Sequence, residues 1–218
     1  MQVFAHRGFH RDVPENTLAA FDAAWSARIP GIETDIRLDR DGVAILFHDR
    51  AVAGRLVSSL TLAELRETTR IEVPTLDAAL GEIGNIFWNL EIKETAAVAE
   101  TIRLIKAHGR GLDTVVSSFI HAAVVDVCAA TGVPGGLLIS HRPVNPLTVL
   151  DGMPQGISTV IWNHATADAD SLRRVRETGK SNWVYGFATP EDHADIDPRY
   201  VSSVITDFPT ERNSWSAG

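Results

Sequence analysis

The sequence predicts a (β/α)8 barrel, a single domain spanning residues 1–218. Short apolar, β-rich runs alternate with amphipathic stretches along the chain, the pattern of parallel strands joined by helical crossovers. About eight such units fit the length, near the short end for that fold. No Gly-x-Gly-x-x-Gly follows a strand, which disfavours the runner-up, an open doubly wound sheet. No internal repeat, low-complexity tract or linker divides the chain.

Taken in order, the first strand is expected over 2–5, where Val3-Phe4-Ala5 runs into His6-Arg7. A helix follows over 16–27: Pro14 with Asn16 or Thr17 supplies its start, Leu18, Phe21 and Trp25 recur at +3 and +4, and Gly31 follows its end. Strands over 31–37 and 43–47 come next. Thr61-Leu62-Ala63-Glu64 is a capping-box pattern that opens a helix over 61–67, and a second helix covers 75–83. The strand at 86–92 precedes a helix at 96–108 carrying Val98, Ile102 and Ile105 on one face. Strands at 113–117, 135–139, 158–162, 182–187 and 201–205 complete the series, with helices at 120–130 and 168–178.

A hydrophobic content of 44% and a charged content of 22% are ordinary for a globular protein. The net charge of −8 argues against a nucleic-acid partner, but not against a small anionic substrate, because a bound metal inverts the local potential. Cys128 is the single cysteine, lies in an apolar stretch, and is expected in the core. No apolar run reaches the roughly 18–20 residues of a membrane span. Met1–Ala5 leaves no room for a secretory leader, so the expected setting is cytoplasmic, without membrane insertion. The oligomeric state is left open.

The chemistry is concentrated in a few charged residues set inside apolar runs. Glu33 and Asp35 lie two apart and share one strand face; Glu91 and Lys93 do likewise, while Ile32, Thr34, Ile36, Leu90 and Ile92 point away. Trp88 falls on that outward face, where it would pack against helices. Carboxylates aimed inward from hydrophobic strands need a cation, and a divalent metal is the economical one. An all-carboxylate site suits a hard ion such as Mg²⁺ or Ca²⁺. His6 ends the first strand and His48 follows the run Ala44–Phe47, so the unusual residues gather at the C-terminal rim, where such barrels place their sites. Arg7 and Lys93 add positive charge suited to a phosphoryl group. The competing readings are that Glu91 and Lys93 merely pair with each other, and that Arg7 forms a structural ion pair. Arg37 shares the face of Glu33 and Asp35 and could pair with one of them, Asp49 orients His48 or its loop, and Asn16 reads as a helix cap. His10, His108, His121, His141, His164 and His193 show no ligand spacing and are assigned to surface or packing.

The order and spacing of His6-Arg7-Gly8, Pro14-Glu15-Asn16-Thr17, Glu33-Thr34-Asp35-Ile36, Asp41-Gly42, His48-Asp49, Pro74-Thr75-Leu76 and Asn89-Leu90-Glu91-Ile92-Lys93 resemble the glycerophosphodiester phosphodiesterases. Ser117-Ser118-Phe119 and Ile205-Thr206-Asp207-Phe208-Pro209 resemble that family's later motifs, so the resemblance spans residues 3 to 209. It implies a (β/α)8 barrel holding one Mg²⁺ or Ca²⁺ on Glu33, Asp35 and Glu91, with His6 and His48 as the acid–base pair. The implied activity is hydrolysis of a small glycerophosphodiester to glycerol 3-phosphate and an alcohol. The alternatives are a phospholipase D-like enzyme acting on lysophospholipids or sphingolipids, and a phosphodiester-binding module without catalysis. The chain departs from the family at Tyr185-Gly186-Phe187-Ala188-Thr189, in place of a Trp-Thr-Val-Asn-like stretch, and in a short segment of about 50–73 that would form a small cap.

Overall fold

Phe4, Val115, Leu138, Ile161, Trp183 and Ile205 form one buried apolar cluster, with Phe87 and Tyr185 packed against it. Because side chains alternate along a strand, these residues mark the inward faces of the strands that carry them. The computed structural model describes residues 1–109, 111 and 113–211, so 212–218 of the expected domain lie outside the described residues. The strands are β1 (Gln2–His6), β2 (Gly31–Leu38), β3 (Ala44–Leu46), β4 (Ala51–Val52), β5 (Arg55–Leu56), β6 (Phe87–Ile92), β7 (Thr114–Ser118), β8 (Gly135–Ile139), β9 (Ile157–Asn163), β10 (Ser181–Tyr185) and β11 (Ser203–Thr206). Order around the sheet is β1-β11-β10-β9-β8-β7-β6-β2, and β1 also pairs with β2, in register Phe4↔Gly31 and His6↔Glu33. Every one of these pairings is parallel, so the ring closes as the barrel the sequence predicts.

Inside the ring, Phe4 stacks on Trp183 at 4.6 Å and meets Phe87 edge-on at 5.7 Å. Gly31 is what admits Phe4: a Cβ there would come within 2.4 Å of the ring. Outside, Ile32, Ile36, Trp88, Leu90 and Ile92 belong to the larger cluster beneath the helices, and Phe21 meets Trp88 edge-on at 5.4 Å. The apolar filling occupies one end of the barrel, and the inward residues at the other end include His6, Glu33, Asp35, Asn89, Glu91 and Ser117.

The helices are α1 (Leu18–Ser26), α2 (Leu62–Thr69), α3 (Leu76–Glu82), α4 (Val98–Ala107), α5 (His121–Thr131) and α6 (Ala169–Glu177). The starts of α1, α2, α3 and α6 are side-chain capped, as at Thr61, whose hydroxyl accepts from Glu64 N while Glu64 accepts from Thr61 N. The cap of α1 is Thr17, accepting from Ala20 N, and not Asn16. Trp25, expected on the buried face of α1, is 51% exposed at its last turn. Strand 43–47 is not one of the barrel staves: β3 lies antiparallel on the outer part of β2. Two crossovers use 3-10 turns in place of α-helices, Pro146–Leu150 and Pro190–Asp195, in segments where Pro143, Pro146, Pro154, Pro190 and Pro198 block longer helices. Residues 50–73 hold α2 and a β4–β5 hairpin that the sequence reading did not anticipate. Its turn residues Ala53 and Gly54 both adopt positive φ, the geometry that matches the twist of a tight hairpin.

Candidate active site

Glu33, Asp35 and Glu91 converge from the adjacent strands β2 and β6, in register Asp35↔Glu91. All three are buried, and one oxygen from each lies within 4.8 Å of the other two. Lys93, just past the end of β6, donates to Glu91 Oε1 at 2.7 Å and sits 3.2 Å from Asp35 Oδ1. The pairing of Glu91 with Lys93 is therefore real, but it includes Asp35 as well.

Arg7 is held in the left-handed region at φ 55°, a conformation that costs a non-glycine residue energy and concentrates at functional sites. That turn aims the Arg7 backbone N–H at Glu33 Oε2, 3.1 Å away. The guanidinium lies 2.8 Å from Glu15 Oε1 and 3.4 Å from Asp35 Oδ2. Gly8 completes the turn at φ 83°, where a Cβ would also strike Ala20 Cβ at 2.8 Å. Asn16 is left-handed too, at φ 54°. Its amide donates to Asp35 Oδ2 at 2.8 Å and its carbonyl oxygen accepts from Thr34 Oγ1 at 2.6 Å. Asn16 thus orients a carboxylate and caps nothing.

His6 faces this cluster, with Nε2 3.9 Å from Glu33 Oε2, while Nδ1 lies 2.8 Å from Asp207 Oδ1 just beyond β11. His10 Nε2 reaches the same Asp207 oxygen at 3.0 Å, so His10 is not a mere surface or packing residue. On the other side of the cluster, His48 Nδ1 lies 2.8 Å from Asp49 Oδ1, as an orienting Asp49 requires. Arg37 pairs with neither Glu33 nor Asp35. Its Nε and Nη2 clamp the His48 carbonyl oxygen at 2.9 and 2.8 Å, and its Nη1 lies 3.4 Å from Glu94.

These contacts set the charge states. Burial, with Asp35 and Glu91 close by, pushes Glu33 well above the carboxylate range. Burial and Asp35 also raise Glu91. Burial works against an ionised Asp35, yet Lys93, Arg7 and the Asn16 hydrogen bond together hold it below its ordinary value. Burial likewise disfavours a charged Lys93, but Asp35 and Glu91 outweigh it and keep the ammonium charged. The bond to Asp207 raises His10. Three carboxylates share Arg7 and Lys93, so Glu33 has no cation of its own and burial favours its neutral form; its Oε1 is buried with no hydrogen-bond partner among the described residues.

The glycerophosphoryl diester phosphodiesterase family profile matches residues 6–211 of the 218. The chain belongs to this family. A glycerophosphodiester phosphodiesterase of Caldanaerobacter subterraneus subsp. tengcongensis is 31% identical over 147 residues, 57% of this chain and 60% of that relative, so the match spans about three fifths of the relative's length. Among solved structures, a phosphodiesterase of Oleispira antarctica, in complex with the product sn-glycerol-3-phosphate, is 24% identical. It superposes with a TM-score of 0.85 over 98% of this chain and 96% of that one. The glycerophosphodiester phosphodiesterase of Thermotoga maritima is 26% identical, with a TM-score of 0.80 over 95% of this chain and 94% of that one.

The donor set of this family member fits a hard divalent ion. Two metal–oxygen bonds of about 2.0–2.6 Å placed end to end span about 4–5 Å, the scale of the 4.8 Å carboxylate cluster. Glu33 Oε1, unpartnered among the described residues, stands where a metal ligand of this cluster would stand. Where the family carries its Trp-Thr-Val-Asn-like stretch, Tyr185 reaches the barrel mouth, its hydroxyl 3.4 Å from Ile139 O and its ring edge-on to Phe119 at 6.0 Å. Burial raises its pKa and keeps the phenol neutral. Phe187 instead turns into the core between the rings of His164 and His193. No helix among the described residues is long and apolar enough to cross a membrane.

Proposed function

We propose that the chain is a metal-dependent glycerophosphodiester phosphodiesterase that hydrolyses a small diester to glycerol 3-phosphate and an alcohol. The observation that carries this reading is the buried Glu33–Asp35–Glu91 cluster with His6 and His48 at its edge. Glu33, Asp35 and Glu91 would hold one Mg²⁺ or Ca²⁺, which when bound supplies Lewis-acid polarisation of the phosphoryl oxygens. Asn16 and Lys93 orient Asp35, and Lys93 orients Glu91. An ammonium has three donors, so Lys93 keeps one for a substrate oxygen after its two carboxylate contacts. Arg7 brings its guanidinium to the same side.

Asp207 accepting from Nδ1 leaves His6 with Nε2 as its exchangeable nitrogen, facing the carboxylate cluster. Asp49 does the same for His48, and the Arg37 clamp on the His48 carbonyl fixes where that ring stands. One histidine takes the proton of the attacking hydroxyl and the other delivers a proton to the departing alkoxide. The product seen with the Oleispira antarctica phosphodiesterase supports glycerol 3-phosphate as the retained half.

The test is glycerol 3-phosphate release from glycerophosphocholine with Mg²⁺, with Ca²⁺ and with chelator. The expected result is release that needs the metal and that His6→Ala and Glu33→Gln each abolish. Release that survives the chelator rules out the metal site, and no release from glycerophosphocholine, glycerophosphoethanolamine or glycerophosphoglycerol rules out the activity.

A further inference from the structure

Glu33 is the least supported of the three clustered carboxylates. Asp35 has Lys93 and Asn16, and Glu91 has Lys93. Glu33 Oε2 accepts from the Arg7 backbone N–H, while Oε1 meets no hydrogen-bond partner among the described residues. The register partner of Glu33 on β6 is Asn89, and both side chains point into the barrel. Asn89 is fully buried, and neither its Oδ1 nor its Nδ2 has a partner among the described residues. On its other side, in register on β7, stands Val115, part of the apolar filling. A buried amide with nothing to bind is costly, and a leucine of about the same size would suit that filling better. What Asn89 has that leucine lacks is an N–H donor, set beside a carboxylate oxygen that has none.

From this juxtaposition we infer that Asn89 is a positioning residue for Glu33, its amide donating to Oε1 when the carboxylate serves as a metal ligand. Neighbouring strands lie about 4.8 Å apart, so an asparagine and a glutamate side by side on one face are within reach of each other. A carboxylate oxygen offers two lone pairs, so Oε1 takes the ion on one and the Asn89 proton on the other. With Arg7 N–H on Oε2 and Asn89 on Oε1, both ends of the Glu33 carboxylate are fixed, and with them the direction in which it faces Asp35 and Glu91. Asn89 would then do for Glu33 what Asn16 does for Asp35, from inside the barrel in place of the loop. The inference rests on the reading of Glu33, Asp35 and Glu91 as a metal site. Asn89 itself contributes orientation alone.

The experiment measures Mg²⁺ and Ca²⁺ affinity by isothermal titration, and metal-free Tm by circular dichroism, for the wild type and Asn89→Leu. The expected result is an affinity lower by about 10- to 100-fold, with a metal-free Tm that is unchanged or raised because an unpaired buried amide has gone. A residue that serves only the fold would show the reverse. An Asn89→Leu variant that binds as tightly as the wild type, or one that loses affinity together with metal-free stability, overturns the inference. If Asn89→Leu does not fold, Asn89→Thr against Asn89→Val takes its place, a pair alike in shape that differs by one hydroxyl donor. Tighter binding by Asn89→Thr supports the inference, and equal binding overturns it. A wild type that binds neither ion, or a Glu33→Gln variant that binds undiminished, overturns the metal site on which the inference rests.

Discussion

Asn16 donates to Asp35 Oδ2 at 2.8 Å from a backbone held at φ 54°, so a residue of the β1–α1 loop orients a carboxylate of β2. Groups that orient a metal ligand typically contribute about 10- to 100-fold in affinity. Asn16→Ala removes that amide and also places alanine in a left-handed turn. Its expected effect is a fall of about that size in divalent-ion affinity, read by isothermal titration, with the barrel still folded by circular dichroism. An unchanged affinity would assign Asn16 to the loop alone.

Asp207 accepts from both His6 and His10 and is therefore placed to govern how His6 presents Nε2. Asp207→Ala should lower kcat by about 10- to 100-fold while leaving KM little changed. His10→Gln should do less, since His6 keeps its partner. Steady-state kinetics on both variants separates a positioning role from a purely structural one.

The burial of Glu33 beside two other carboxylates has a pH signature. Its folded pKa lies well above the ordinary carboxylate value, so the metal-free fold loses stability as pH rises through that raised pKa. A divalent ion must displace the same proton, so metal affinity should rise with pH over that range, by up to about tenfold per unit. Titrations in two buffers of different ionisation enthalpy will register the released proton. Affinity independent of pH would mean Glu33 is not a ligand.

Cys128 is 6% exposed, and its thiol is pushed up to about 11 by burial. Iodoacetamide at pH 8 should leave the folded chain unmodified and label it on unfolding. The sign for stability is alkaline: the unfolded thiol ionises first, so this group costs stability as pH climbs from about 9 towards 11. Cys128→Ala should flatten that part of the stability curve.

Gly31 faces Phe4 across the β1–β2 seam. A methyl group there must displace the ring, so Gly31→Ala should destabilise the barrel by about 1–3 kcal/mol in urea unfolding. Gly31→Ala combined with Phe4→Leu should recover part of the loss, because the smaller side chain vacates the space.

The barrel staves and helices were legible because their apolar residues repeat at the strand or helix period, as in Val98, Ile102 and Ile105 of α4. The Glu33-x-Asp35 and Glu91-x-Lys93 spacings were legible for the same reason. What escaped the sequence depends on distant partners or on backbone shape. His10 had no visible partner because Asp207 lies 197 residues away. Arg37 shares a strand face with Glu33 and Asp35, but it sits beyond the carboxylates and swings to the carbonyl of His48. Asn16 fits the composition of a helix cap, and only its left-handed backbone turns the amide towards Asp35. The β4–β5 hairpin has two-residue strands, too short for any periodicity, and an alanine in a turn position that usually signals itself through asparagine or glycine.

The ring is closed by the first and last strands, and His6 meets Asp207 across that join, 201 residues apart in sequence. During synthesis, therefore, every carboxylate of the cluster and both histidines emerge long before the group that orients His6. A nascent chain lacking β11 could gather its acidic residues but would have no settled imidazole beside them. Synthesis through Asp207 is then what sets the His6 ring in place, and long-range closure of this kind is the slow part of folding.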